Sequence, residues 1–113
     1  MGFLVAFSRK MYLTSYINKL ESKLNDITAQ KLNLTDTISQ LTSQISDIGN
    51  TDSPAVKQLE ARKVELENLD KQLEMRMQKV QTQLQAANTE LQSADQMLQQ
   101  NLQRSFSYNA GGG

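Results

Sequence analysis

The sequence predicts an all-α fold: an antiparallel two-helix coiled-coil hairpin, a long rod whose outer faces join a larger helical bundle. Three observations carry this expectation. Apolar residues recur in a 4-3 pattern along two separate stretches, a single turn signal divides them, and the two stripes match layer by layer when the chain is folded at that turn. A 3.5-residue repeat sustained over about five heptads marks a coiled-coil seam, whereas globular-domain helices carry the broader 3.6-residue stripe.

The first stripe runs Leu13, Ile17, Leu20, Leu24, Ile27, Lys31, Leu34, Ile38, Leu41, Ile45 and Ile48, and it predicts a helix over about 4–48. The break follows in Gly49-Asn50-Thr51-Asp52-Ser53-Pro54. Gly49 suits the left-handed residue that closes a helix. Asp52 or Ser53 suits the cap of the next helix, with Pro54 at its first position, where the missing N–H costs nothing. The second stripe, Val56, Leu59, Lys63, Leu66, Asp70, Leu73, Met77, Val80, Leu84, Ala87, Leu91, Ala94 and Leu98, predicts a helix over about 54–105. Residues 1–106 then form one hairpin with its turn at 49–53, and 107–113, ending in Gly111-Gly112-Gly113, form a flexible tail.

Folding the arms so that paired residue numbers add to about 104 sets Ile48 on Val56, Ile38 on Leu66, Leu24 on Val80 and Leu13 on Leu91. The arm spans about 54 Å at 1.5 Å per residue. Charges interrupt the seam at Lys31, Lys63 and Asp70. Long side chains at such positions commonly snorkel outward. For Lys31 and Asp70, one layer apart across the seam, the alternative is a polar layer that fixes register.

The surface departs from that of a lone soluble rod. Helix 1 carries Thr28, Thr35, Thr37, Ser39, Thr42, Ser43 and Ser46 on its outside, all weaker helix formers than Glu or Lys. Between Gln81 and Gln103 the only charges are Glu90 and Asp95. All six aromatics, Phe3, Phe7, Tyr12, Tyr16, Phe106 and Tyr108, fall at the end opposite the turn. Leu4, Phe7 and Met11 do not continue the seam, and Leu98, Leu102 and Phe106 step by fours around the second helix. Phe3, Leu4, Phe7, Met11, Tyr12, Leu102, Phe106 and Tyr108 are therefore expected to form a surface for self-association or partner contact, or else a plug closing the rod's base. Only Arg9 and Lys10 are cationic neighbours, which favours a protein partner over an anionic membrane surface.

Catalysis is not expected. The chain has no His and no Cys, and it carries no glycine-rich phosphate loop. No catalytic, cofactor-binding or metal-ligating residues are assigned, because nucleophile, base or metal sets must converge on a concave site. Asp47, Asn50 and Asp52 at the turn lack the 12-residue spacing of a calcium loop and read as turn and cap formers. Lys and Arg total 12, balanced by 12 Asp and Glu, and are scattered, so nucleic acid is not an expected partner. The apolar start, Gly2–Phe7, is far short of the roughly 20 residues of a spanning helix and lacks the flanks of a cleavable signal. The expected location is cytoplasmic, or outside the cell by a signal-peptide-independent route.

In size, hairpin form and Gln/Ser/Thr content the chain resembles small exported helical proteins. The secreted Trp-x-Gly hairpin proteins carry Trp in the turn, and no Trp accompanies Gly49; Gly112 stands four after Tyr108, where their export signal is acidic. Type III secretion needle subunits share a Pro-containing turn, echoed by Ser53-Pro54. Neither family is assigned. The expected function is that of a non-enzymatic structural coiled coil serving as a scaffold, filament or secretion-apparatus component, its partners being further copies or other helical proteins. The alternatives are an adaptor or chaperone-like module that binds a partner protein or membrane surface, and a small exported hairpin protein.

Overall fold

The computed structural model describes the backbone of residues 2–112 and the side chains of residues 2–107. The chain forms two helices, α1 (Phe3–Ile48) and α2 (Pro54–Gly112), in an all-α antiparallel hairpin.

The turn follows from local chemistry. Gly49 closes α1 at φ 73°, in the left-handed region, and its N–H donates to the Ile45 carbonyl at 3.2 Å. The Asp52 N–H then donates to Asn50 Oδ1 at 3.1 Å, and the Ser53 N–H to the Asn50 carbonyl at 3.2 Å. Ser53 is the cap of α2: its Oγ accepts from the Val56 N–H at 3.1 Å, and its carbonyl accepts from the Lys57 N–H at 3.1 Å. Of the two capping residues that the sequence offers, Ser53 takes the role, while Asp52 is held in the turn.

Contacts group the residues into two units, Lys23–Val80, which holds the turn, and Met1–Ser22 with Gln81–Gly113. Within the turn unit, Val56, Leu66, Leu73 and Val80 of α2 are buried, while Leu24, Ile27, Leu34, Ile38, Leu41 and Ile45 of α1 are half-buried. The short turn between Ile48 and Pro54 sets the arms antiparallel, and Lys31 reaches across them to both Asp70 and Glu74. Within the terminal unit, Ala6, Leu13, Ile17 and Leu20 of α1 and Ala87 and Ala94 of α2 are buried. Arg9 pairs there with Glu90 and Lys10 with Asp95 across the two helices.

Three details differ from the sequence expectations. Ile48 is 45% exposed, not sealed in a layer with Val56, because it ends α1 and no following turn of helix covers it. The seam also runs past Leu13 through half-buried Lys10 to buried Ala6, continuing the 4-3 spacing with residues too small or too charged to stand out. Finally, α2 continues to Gly112 beyond the end expected near 105, with no proline after Pro54 to stop it.

Candidate protein-interaction surface

In the terminal unit the seam and the large apolar side chains lie on different helix faces. At 100° per residue, Ala6, Lys10, Leu13 and Ile17 share one side of α1, and Leu4, Phe7 and Met11 are turned well away from it. Burial follows that geometry. Ala6 is buried, whereas Leu4 is 75% and Met11 57% exposed, and Phe3, Val5 and Phe7 are also exposed. Phe3 and Phe7, one turn apart, stack with ring centroids 6.1 Å apart and planes 15° from parallel. Tyr12 and Tyr16 repeat the arrangement at 6.3 Å and 5°. Near-parallel rings at this centroid spacing lie within the range of favourable aromatic pairs.

On α2 the seam passes through Leu91, Ala94 and Leu98, leaving Leu102 and Phe106 exposed, with Phe106 at 78%. These two residues line a shallow depression with Gln103 and Ser107. A second open groove is bordered by Tyr12, Tyr16, Gln83, Ala86 and Glu90. Of the residues expected to make partner contacts, Phe3, Leu4, Phe7, Met11, Tyr12, Leu102 and Phe106 all lie exposed in this unit. Tyr108 falls outside the described side chains.

The cations beside this surface are engaged. Arg9 Nη2 donates to Glu90 Oε2 at 2.9 Å, and Lys10 Nζ lies 2.9 Å from Asp95 Oδ1. The sequence marks Arg9 and Lys10 only as the cationic neighbours of the apolar surface. The register that aligns Leu13 with Leu91 sets 10 next to 95, but it leaves 9 more than a helical turn from 90, so the Arg9 pair depends on the reach of its side chain. The resulting surface is apolar and locally charge-balanced.

The turn unit holds the polar layer. Lys31 Nζ donates to Asp70 Oδ1 at 3.0 Å and lies 2.9 Å from Glu74 Oε2. The hydrogen bonds to Glu74 and then Asp70 raise the Lys31 pKa above the ordinary lysine value. Glu74 is the partner that sequence reasoning missed. Lys63 turns to Glu67 of its own helix at 4.0 Å, and Arg62 to Glu65 at 3.2 Å. Among the described residues there is no His/Cys/Asp/Glu group that could hold a metal ion, and no helix is long and apolar enough to cross a membrane.

The hairpin displays apolar helix surface on its outside. The fold is that of a non-enzymatic helical hairpin, a protein–protein interaction module. The chain belongs to the family described as the kinetochore protein NDC80 loop region, whose sequence profile it matches over residues 4–109. No curated protein and no solved structure matches it.

Proposed function

We propose that the chain is an adaptor-like module that binds an amphipathic helix of a partner protein through the exposed apolar surface of its terminal unit. The observation that carries this reading is the separation of Leu4, Phe7 and Met11 from the seam, which leaves large apolar side chains in water with no partner arm to cover them. Membership in a family described as a region of a kinetochore protein supports a part in a larger protein assembly. The pairing of Arg9 and Lys10 with carboxylates supports a protein over an anionic lipid surface, since it leaves little net positive charge to attract headgroups. Helix-in-groove recognition uses this kind of i, i+3, i+7 stripe.

The test is a photo-crosslinking side chain at Met11 in the native cell, followed by reconstitution of the captured protein with the purified chain. Burying two such side chains contributes several kcal/mol, about 1.5–3 for each. Phe7→Ser with Met11→Ser should thus weaken binding at least about tenfold in calorimetry, with circular dichroism unchanged. Loss of helicity would place the stripe in the monomer's own core. Binding to neutral liposomes without a protein partner would also overturn the reading.

A second reading, self-association of copies as a scaffold, filament or secretion-apparatus part, draws on the formal net charge of +0, which opposes no contact between like surfaces. Capture of only a second copy at Met11 would select it.

A further inference from the structure

We infer that the three charges in the seam of the turn unit, Lys31, Lys63 and Asp70, decide which helix each arm accepts, favouring α1 on an antiparallel α2 and rejecting parallel pairing of either helix with its own copy. This is independent of the outer surface proposed above.

The apolar layers alone do not make that choice. With Ile38 at heptad position a, α1 places Ile38 and Ile45 at a and Leu34 and Leu41 at d. Ile at a with Leu at d is the combination that favours parallel two-stranded coiled coils. In α2, Leu59, Leu66 and Leu73 stand at d as well. Each helix thus carries a stripe suited to zipping in parallel with its own copy.

Lys31, Lys63 and Asp70 all occupy position a. In a parallel, in-register pair, a faces a of the other strand. Two α1 helices would then set Lys31 against Lys31, and two α2 helices would set Lys63 against Lys63 and Asp70 against Asp70. Like charges meeting inside a seam oppose association. In the hairpin Lys31 and Asp70 are matched to each other. Lys31 Nζ sits 3.0 Å from Asp70 and 2.9 Å from Glu74, and Lys63 leans to Glu67 of its own helix. Antiparallel pairing of α1 with α2 supplies Lys31 with two carboxylates, whereas parallel pairing supplies it with another lysine.

The chain has no cysteine, so Gln44→Cys on the exposed side of α1 carries a single spin label. In a parallel α1 pair two such labels come close, and pulsed dipolar spectroscopy reads a short intermolecular distance that dilution with unlabelled protein removes. Wild type should show no such distance. The variant Lys31→Leu, Lys63→Leu, Asp70→Leu should show it at the same concentration, with helicity retained. The charge-swapped variant Lys31→Glu, Asp70→Lys, Glu74→Lys keeps both the hairpin pairing and the parallel clash, and it should behave as wild type. A short distance in wild type or in the charge-swapped variant would overturn the inference. So would its absence, or a broad featureless trace, in the leucine variant.

Discussion

Lys31 of α1 and Glu74 of α2 meet at 2.9 Å, and this hydrogen bond is the largest cause of the raised Lys31 pKa, ahead of that from Asp70. A folded-state pKa above the unfolded value means that the lysine contributes stability in full below its ordinary value near 10.5 and loses it as pH rises through the elevated folded value. Wild type and Lys31→Met should therefore differ by a constant amount in urea unfolding from neutral pH up to about 10, and the gap should close above that. A gap that persists unchanged at higher pH would remove the charge-based account of this layer.

The turn separates backbone effects from side-chain effects. Ser53→Ala deletes the acceptor for the Val56 N–H and should cost about 0.5–2 kcal/mol by thermal or urea denaturation. Gly49→Ala should cost about 1–2 kcal/mol for a different reason. An added Cβ would meet only the Ser46 carbonyl at 4.0 Å, an ordinary contact, so the penalty comes from φ 73° itself. Gly49→Asn should recover part of it, because Asn tolerates the left-handed region.

Leucines on and off the seam should respond differently to truncation. Leu66 is buried, and Leu66→Ala is expected to cost about 2–5 kcal/mol. Leu32 is 63% exposed, and Leu32→Ala should stay within about 0.5 kcal/mol. Equal costs in chemical denaturation would mean that the outer face of α1 is covered.

In the terminal unit the seam is built in part from alanine. Ala87 is 4% exposed, and Ala87→Leu should destabilise by about 1–3 kcal/mol through overpacking, even though leucine is the usual seam residue elsewhere in this chain. A stabilised variant in thermal melts would show unfilled space at that layer.

Most of the fold was legible because its periodic signal is long and repeated. The 4-3 spacing of Leu13 to Ile45 and the Gly49–Pro54 punctuation each follow from side-chain volume and backbone freedom, which are readable without coordinates. Ala6 and Lys10 carried little hydropathic signal, yet they hold seam positions because the partner helix covers that side whatever stands there. Exposure of Leu4, Phe7 and Met11 was foreseeable from their angular offset. The Arg9–Glu90 and Lys10–Asp95 pairs were less so, since long flexible side chains choose partners by reach and not by register alone. Glu74 was missed on the same ground: it flanks the seam, and the lysine extends to it.

The threonines of α1 turn back on their own helix. Thr14, Thr28, Thr35, Thr37 and Thr42 each donate from Oγ1 to the carbonyl four residues earlier, at 2.8–2.9 Å. Such back-bonding weakens a helix slightly and gives its carbonyls a second donor. Amide protons along α1 should accordingly exchange with deuterium sooner than those in the Glu- and Lys-rich stretch of α2 around Leu66, making the first arm the readier of the two to fray and to adjust when something docks on it.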